Sequence, residues 1–473
     1  LLCIVAQSVA RKREIGQQRT TLSRCYWLSR WLLQERQRGE TMTALKIPSV
    51  PHLVHIETTY ACNKRCVFCY NPQRGLPFVK STIDQIVKSV HESWVPHVYL
   101  IGGEPSLLGV DQLNEYIDLL SDRSSVTIVT NGLITLEGLS DRLACLGVPI
   151  HGNERTHNKY SPLNGRYRQT IESVKYYVEH GFDVRCIPVL TAWNFDQIYE
   201  IARLAKDLGM ESVFVDRFED GGLGSVNSAE LKPTVEQFKV ALGQMIEARK
   251  DFGIPIGFGT AIPYCLDSRL VAENISANCG VGITFAAVDP KGNVRICNQS
   301  QIIYGNVLDQ PIERIWQSEK IHDFRDLLWV TDPCKSCPVL CDCLCGCKVD
   351  CSCSEGYCVD YAVRGEKKPL MTVTQLPKRG CPDESFPAEY RRFQVDRFAK
   401  LNEFYREKYL VTRYQTIELD DLALEITRRA ILLRDFSERD FVAEFSDQAE
   451  EAEVRRFLSK LIGVDALIQP RKE

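Results

Sequence analysis

Apolar and polar positions alternate along the chain in two ways between about residues 52 and 260. Short runs with the two-residue period of strands are followed by longer runs with helical spacing, and glycine follows several of these helical runs. Repeated strand–helix units require a parallel sheet with right-handed crossovers, either an open doubly wound sheet or a partly closed barrel. The predicted strands are His52–Glu57, His97–Ile101, Val126–Thr130, Val148–His151, Val184–Leu190 and Ser212–Asp216, and the predicted helices are Thr82–Glu92, Asp111–Leu120, Leu136–Leu146, Arg168–His180 and Phe195–Leu208.

The remaining chain falls into three further segments with different patterns. Residues 261–366 are rich in cysteine and contain two predicted strands, Ile283–Asp289 and Val294–Cys297, joined by a Pro-x-Gly-Asn turn. Residues 367–408 begin as a proline-rich linker and end in a predicted charged helix, Glu389–Lys408.

Residues 409–470 are predicted to form a separate small α+β domain. The predicted elements are a strand pair in Tyr409–Glu418, helices at Leu422–Ala430, Asp440–Phe445 and Glu450–Ile462, and a final apolar pair, Leu467-Ile468.

Composition narrows the class of protein. The formal net charge of −4 gives no electrostatic reason to expect nucleic acid or an anionic membrane as partner, and no apolar run reaches the 18 or so residues of a membrane span. Of the 20 cysteines, nine lie between Cys334 and Cys358 at short metal-ligand spacings, which predicts thiolates that bind metal in a reducing cytoplasm. The basic segment before residue 52 is expected to be disordered or an over-extended translation start.

Three cysteines lie at the spacing C-x3-C-x2-C directly after the first predicted strand: Cys62, Cys66 and Cys69. A [4Fe–4S] cluster normally takes four thiolates, so a set of three leaves one iron open to another ligand. The same three residues could instead be part of a zinc site or unrelated thiols.

Two glycine-containing turns follow later strands of the same predicted sheet. Gly102-Gly103-Glu104-Pro105 follows the second strand and Asn131-Gly132 follows the third. Because ligands bind at the carboxyl ends of parallel strands, these turns are expected beside the cysteines.

The cysteine motif followed by Gly-Gly-Glu-Pro resembles the radical S-adenosylmethionine (SAM) superfamily, over roughly residues 52–260. The resemblance implies a partial (β/α)6 barrel, a [4Fe–4S] cluster on the three cysteines, and SAM chelating the fourth iron through its amino and carboxylate groups. It further implies that Phe68 lies against the adenine and that Gly102, Gly103, Glu104 and Pro105 contact SAM. Asn131 and Arg168 resemble residues that line the SAM pocket, although Asn131 could be a plain turn residue and Arg168 a solvated helix charge.

The second cysteine set resembles the SPASM extension of radical SAM enzymes, with Gly292 at the expected place between the first two cysteines. The resemblance implies two auxiliary iron–sulfur clusters, the first on Cys279, Cys297 and Cys347 and the second on Cys334, Cys337 and Cys343. Cys265 is the candidate fourth ligand of the first cluster, with an open site as the alternative. Cys358 is the candidate fourth ligand of the second cluster, with Cys351, Cys353 and Cys381 as competitors. A metallothionein-like or zinc-knuckle segment is the alternative for residues 334–358.

The stretch Ile417–Ile426 resembles the small winged-helix chaperone of pyrroloquinoline quinone biosynthesis, a module that binds precursor leader peptides by adding them as a strand to its sheet. The alternative is a winged-helix or dimerisation domain with another partner.

Together the resemblances imply a cytoplasmic radical SAM enzyme that oxidatively modifies a ribosomally made precursor peptide. The product would be a carbon–carbon or thioether crosslink, or a backbone excision of the splicease type, and a reductant such as flavodoxin or ferredoxin would supply the electron. No catalytic acid or base is assigned. Two alternatives stay open, a maturase of a folded protein of the sulfatase-maturing kind and a non-enzymatic cysteine-rich metal-binding protein.

Overall fold

The computed structural model describes residues 47–71, 75, 78–161, 166–275, 279–348, 360, 362, 391–404 and 407–469. The chain divides into two compact units, and the described residues up to 362 belong to the first and those from 391 onward to the second. The predicted N-terminal extension up to residue 46 lies outside the described residues.

The first unit alternates strands with helices, as the sequence pattern predicts. Its strands are β1 (Leu53–Thr59), β2 (His97–Gly102), β3 (Ser125–Val129), β4 (Cys145–Val148), β5 (Val184–Cys186), β6 (Val189–Leu190), β7 (Ser212–Arg217), β8 (Ile256–Phe258), β9 (Phe285–Val288), β10 (Asn293–Arg295) and β11 (Gly305–Asn306). Its helices are α1 (Lys80–Glu92), α2 (Val110–Leu120), α3 (Glu154–Lys159), α4 (Tyr167–Glu179), α5 (Ile198–Asp207), α6 (Leu223–Val226), α7 (Ser228–Leu231), α8 (Val235–Phe252), α9 (Arg269–Ala272), α10 (Ile312–Trp316), α11 (Glu319–Arg325) and α12 (Leu340–Cys343).

Strands β1 to β5, β7 and β8 form a continuous parallel sheet in the order β1-β2-β3-β4-β5-β7-β8. Strands β2 and β5 would lie about 14 Å apart in a flat sheet. Arg185 of β5 nevertheless donates a hydrogen bond from Nη1 to the hydroxyl of Tyr99 of β2, at 3.3 Å. The sheet therefore curves around an interior that these side chains fill, which confirms the predicted partial barrel.

The cysteine-rich region continues the same sheet. Strand β9 pairs in parallel with β1, and β10 pairs with β9 as the predicted hairpin, with Val294 opposite Val288. The Asp289 carboxylate accepts hydrogen bonds from the backbone N–H groups of Lys291 (2.8 Å) and Asn293 (3.0 Å) and so stabilises the turn. The auxiliary region is thus attached to the strand that carries the first cysteine motif.

The prediction of a helix at Leu136–Leu146 is wrong. Turns occupy this segment until β4 begins at Cys145, earlier than the strand predicted from Val148. Gly138 has a left-handed backbone with φ of +80°, and the N–H of Leu136 donates to the Tyr177 hydroxyl at 2.9 Å instead of to a helical carbonyl. The helix-like spacing of leucines arises because successive turns bury them against neighbouring elements.

Within its described residues, the second unit has two three-stranded antiparallel sheets and three helices. Its elements are β12 (Arg392–Val395), β13 (Lys400–Phe404), β14 (Glu407–Val411), β15 (Thr416–Glu418), α13 (Asp421–Leu433), β16 (Asp435–Ser437), α14 (Glu438–Glu444), α15 (Glu451–Gly463) and β17 (Leu467–Ile468). The sheet orders are β13-β14-β15 and β16-β12-β17. The predicted strand pair and helices after residue 409 are present.

The prediction of a charged helix at Glu389–Lys408 is also wrong. In the described part of this segment lie β12, β13 and the start of β14. Phe393 is fully buried, and its ring lies 5.7 Å from that of Phe436 in the core of the unit. Pairing of β12 with β16 and β17 overrides the helical preference of this charged stretch. The second unit therefore includes β12 and does not start at residue 409.

No helix among the described residues is long and apolar enough to cross a membrane.

We predict that Phe393→Ala destabilises the second unit, whereas the neighbouring Arg392→Ala has little effect. Removing a buried phenylalanine costs about 3–5 kcal/mol, which corresponds to a rise in amide exchange of roughly a hundredfold or more. Hydrogen exchange of residues 391–469 in the full-length chain measures this. Because Arg392 is mostly exposed, equal effects of the two variants would contradict the burial of β12.

Candidate functional site

The loop that carries the first three cysteines leaves the carboxyl end of β1 and is fixed by contacts on both sides of its thiols. The amide of Asn71 donates to the carbonyl of Tyr60 at 2.8 Å, and the N–H of Val67 donates to the carbonyl of Tyr160 at 2.9 Å. These contacts hold the loop backbone, while its three thiols stay partly exposed. They belong to Cys62, Cys66 and Cys69.

The Gly-Gly-Glu turn after β2 lies directly against this loop. The N–H of Gly103 donates to the carbonyl of Thr59 at 2.6 Å, and the N–H of Glu104 donates to that of Ala61 at 2.9 Å. A Cβ atom at position 103 would lie 2.1 Å from the Ala61 oxygen, and Gly102 has a φ of +127°. Both glycines are therefore required for the turn to approach the loop. From the sequence alone, they were expected to contact a bound ligand.

Glu104 joins this turn to the one after β3. Its buried carboxylate accepts from the Thr130 hydroxyl at 2.6 Å and from the N–H of Asn131 at 2.8 Å. The Asn131 amide in turn donates to the side-chain oxygen of Asn63 at 2.7 Å and lies 4.0 Å from the sulfur of Cys62. Three strand ends thus meet at the first cysteine, so Asn131 lies beside the candidate metal site and is more than an isolated turn residue.

Phe68 lies in an aromatic group on the other side of the loop. Its ring centroid is 4.8 Å from that of His151 and 5.2 Å from that of Tyr160, both edge-on. Burial lowers the pKa of His157 to about 3 and that of His151 well below its usual value, so both rings are neutral at pH 7. The His151 ring accepts from the N–H of Val189 at 3.1 Å. The two histidines pack the loop and are not exposed acids or bases.

The two basic residues near the site differ in position. The Arg168 side chain is 84% exposed and pairs with Glu154 on the outer surface of the unit. Lys64, which the sequence reading did not single out, is only 4% exposed. Burial lowers the pKa of Lys64, and Cys66, Glu104 and Cys62 are close enough to oppose that shift.

A buried carboxylate connects the cysteine loop to the auxiliary hairpin. Glu57 of β1 accepts from the hydroxyls of Tyr60 (3.1 Å) and Tyr70 (3.2 Å), from the Asn298 amide (2.8 Å) and from Arg295. Burial raises the pKa of Glu57, and the Arg295 guanidinium acts in the opposite direction. Sequence reasoning missed this group, although a glutamate inside an apolar strand was a usable signal.

The first predicted auxiliary set is brought together. Burial raises the pKa of Cys297 to about 12, and the nearby Cys279 thiol contributes to the shift. Cys279 also lies close enough to Cys347 to act on it electrostatically. The N–H of Cys347 donates at 2.9 Å to Asp360, whose carboxylate forms a buried ion pair with Arg217 at 2.5 Å.

The second predicted auxiliary set is also brought together, and Cys265 lies with it. Cys265 and Cys337 pack against the apolar group that contains Cys343. After burial, which is the larger cause, Cys265 and Cys334 both raise the pKa of Cys343, which reaches about 12. Cys265, which the resemblance assigns to the first set, thus lies in this structure beside Cys343 of the second set. Cys345 lies against Cys334 in the same region.

The remaining candidate ligands, Cys358 and its competitors Cys351, Cys353 and Cys381, lie outside the described residues. All the candidate cysteines within those residues are free thiols. No three His, Cys, Asp or Glu side chains of the described ranges converge on a single metal ion. Cluster thiolates bind separate irons and need no such convergence, so partly exposed thiols around an open loop fit a cluster.

Comparison with known families agrees with these two cysteine regions. Residues 56–205 match the model of the radical SAM superfamily, and residues 279–338 match SPASM, an iron–sulfur cluster-binding domain. The first match spans β1 to α5, including the cysteine loop and both neighbouring turns.

Two curated relatives and one solved structure are similar to most of the chain. PqqA peptide cyclase of Bradyrhizobium diazoefficiens is 25% identical over 325 residues, which cover 64% of this chain and 82% of that protein. The subtilosin biosynthesis protein AlbA of Bacillus subtilis is 25% identical over 307 residues, covering 61% and 65%. Streptococcus suis SuiB, in complex with the precursor peptide SuiA, superposes with a TM-score of 0.56 at 16% identity, covering 67% of this chain and 77% of SuiB.

The order of the two matched domains corresponds to the two cysteine regions that the fold joins through β1 and β9. The thiol loop, the close Gly-Gly-Glu turn and the grouped auxiliary cysteines all fit iron–sulfur clusters. The chain therefore carries a radical SAM domain and a SPASM domain, and it is an enzyme of this kind that uses SAM, a [4Fe–4S] cluster and auxiliary iron–sulfur clusters.

Proposed function

We propose that this enzyme oxidatively modifies a ribosomally made precursor peptide. The similarity to PqqA peptide cyclase and AlbA supports the peptide substrate, and the observation that carries the proposal is the direct connection of two cysteine regions within one sheet. An enzyme that removes a hydrogen atom and then an electron from its substrate needs both cysteine regions close to the same barrel interior. The reaction is proposed as a crosslink or a backbone excision.

The chain's own residues define where the substrate must approach. When bound, the cluster on Cys62, Cys66 and Cys69 together with SAM supplies a radical that abstracts a hydrogen atom from the substrate. Glu104 and Asn131 hold the neighbouring turns in place, and the group around Phe68 closes the side where adenine would lie. Arg185 and Tyr99 fill part of the barrel interior.

Two auxiliary clusters would accept or relay the electron that the substrate loses. Cys279, Cys297 and Cys347 are proposed to hold the first. Cys334, Cys337 and Cys343 are proposed to hold the second, and the packing of Cys265 against this group supports it as a ligand there. Glu57 accepts a hydrogen bond from Asn298, the residue after Cys297, and so connects the first auxiliary set to the strand that leads into the first cysteine loop. An external one-electron reductant, such as flavodoxin or ferredoxin, would start the cycle.

The second unit is proposed to bind the leader of the precursor. Its sheet β13-β14-β15 has β13 and β15 as edge strands within the described residues, and an extended peptide can add to such an edge through backbone hydrogen bonds. Helix α13 begins at Asp421, three residues after β15 ends, so a peptide on that edge would also contact the helix. A sulfatase-type maturase of a folded protein would have no use for such a module.

We predict that Cys62→Ala abolishes reductive cleavage of SAM and removes about four of about twelve irons per chain. Cys186→Ala is the matched control, because Cys186 is a buried thiol of β5 and is not among the candidate cluster ligands. Iron analysis and assay of 5′-deoxyadenosine after anaerobic reduction measure both effects. Full SAM cleavage by the Cys62 variant would exclude the assigned cluster.

We predict that removing residues 391–473 abolishes modification of a precursor peptide while the slow SAM cleavage without peptide persists. The reason is that the first unit has its own core and carries all the proposed cluster ligands. Mass spectrometry of co-expressed precursor candidates measures the product, and a loss of two hydrogens indicates a crosslink whereas a larger loss indicates excision. Unchanged peptide modification by the truncated enzyme would contradict the proposed leader-binding role of the second unit.

We predict that Cys265→Ala damages the second auxiliary cluster. The test uses a Cys279→Ala/Cys297→Ala background, in which the first auxiliary cluster cannot assemble. Loss of a ligand should lower the iron content and give a three-iron signal in the electron paramagnetic resonance (EPR) spectrum of the oxidised protein. If Cys265→Ala changes nothing in this background but perturbs the auxiliary clusters of the otherwise unaltered enzyme, Cys265 serves the first cluster instead.

A further inference from the structure

The loop between β7 and α6 carries a carboxylate that lies against a thiol of the first auxiliary set. The side chain of Glu219 is only 12% exposed. The Cys347 thiol donates a hydrogen bond to Oε2 of Glu219, with 3.4 Å between sulfur and oxygen. After burial, which is the largest cause, Cys279 and Glu219 both help to raise the pKa of Cys297. The Glu219 carboxylate therefore faces the group formed by these three thiols.

The same loop is held against the first cysteine motif by contacts that need no metal. The N–H of Leu223 donates to the carbonyl of Cys69 at 2.9 Å. The side-chain amide of Asn227 donates to the carbonyl of Val67, also at 2.9 Å. Because these bonds fix the backbone just after Glu219, the position of its carboxylate is set by the fold before any cluster binds.

The charges around Glu219 favour an additional positive ion. Nε of Arg217 lies 3.4 Å from Oε1 of Glu219, and the same guanidinium pairs with the buried carboxylate of Asp360. One guanidinium therefore faces two carboxylates. When a cluster binds, Cys347 loses its proton, and its thiolate can no longer donate to Glu219. Two neighbouring buried anions are costly unless positive charge binds beside them, and iron supplies that charge.

The number of ligands leads to the same place. A cluster normally takes four protein ligands, and three thiols are assigned to the first auxiliary cluster. Cys265 packs with the second set in this structure. A carboxylate can bind iron, as it does in the facial triads of non-haem iron enzymes. The donors grouped here are thus three thiols and the carboxylate of Glu219.

We propose that the Glu219 carboxylate is the fourth protein ligand of the first auxiliary cluster. The inference rests on the proposed function only through the assignment of three thiols to that cluster, and it is independent of the peptide substrate. Replacing one thiolate by another donor raises the potential of an iron–sulfur cluster in known cases. We therefore expect this cluster to have a more positive reduction potential than a cluster with four thiolates.

The test uses a full-length chain in which only the first auxiliary cluster can assemble, and no SAM is added. This background carries Cys62→Ala, Cys66→Ala, Cys334→Ala and Cys337→Ala. Its glutamate side-chain carboxyl carbons are labelled with a magnetic carbon isotope. After reconstitution the chain should hold about four irons, and electron–nuclear double resonance of the reduced cluster should show a coupling to the labelled carbon.

Glu219→Ala should lose the carbon coupling. Glu219→Cys should also lose the coupling but keep the irons, because it supplies a thiolate instead, and its reduction potential should become more negative. Asp220→Asn is the matched control, since Asp220 is a buried acid of the same loop whose carboxylate binds Lys232 and Ser228. This control should keep both the coupling and the potential.

The proposal is overturned if the labelled chain holds its irons but shows no coupling, or if the coupling persists in Glu219→Ala. Where the background chain assembles no cluster, the same labelled measurement on the otherwise unaltered enzyme decides, because Glu219→Ala must then lose a coupling that Asp220→Asn keeps. Iron analysis separates two kinds of failure. If Cys279→Ala/Cys297→Ala removes no iron, the cysteine assignment itself is wrong, whereas loss of about four irons without any carbon coupling refutes only the role of Glu219.

Discussion

The site depends on one close backbone contact, between the turn after β2 and the cysteine loop after β1. The N–H of Gly103 reaches the Thr59 carbonyl at 2.6 Å, and this distance is possible only because position 103 has no side chain. The contact fixes the start of the loop to the neighbouring strand. Through Glu104 it also fixes the turn after β3, so the first cysteine is positioned by three strand ends and not by the metal alone.

A second constraint acts on the opposite side of the same loop. Glu57 is buried. Its carboxylate accepts hydrogen bonds from two tyrosines of the loop region and from two residues of the auxiliary hairpin region. A buried charge of this kind is tolerated only with well-placed partners, and removal of one partner is strongly destabilising. The network therefore connects the first cysteine loop to the hairpin that leads to Cys297.

Local patterns predicted most of the barrel strands and the two cysteine regions correctly, because each of these signals is short in sequence. The errors occur where distant residues decide the structure. Residues 136–146 form turns and not a helix, because a backbone N–H group there donates to a side chain of another element. Part of the charged stretch at 389–408 is a strand, because β16 and β17 pair with it. Arg168 has a plausible place along the chain, but its helix directs the side chain to solvent.

The sequence by itself determined the cluster chemistry, since ligand spacing in C-x3-C-x2-C and the later cysteine pattern is a property of a few neighbouring residues. Only the tertiary structure decided which distant groups meet. It buried Lys64 against His157, placed Cys265 beside Cys343, and placed Glu57 between the two cysteine regions. These contacts join residues as many as 241 positions apart, and they form because a curved parallel sheet brings all its strand ends to one edge.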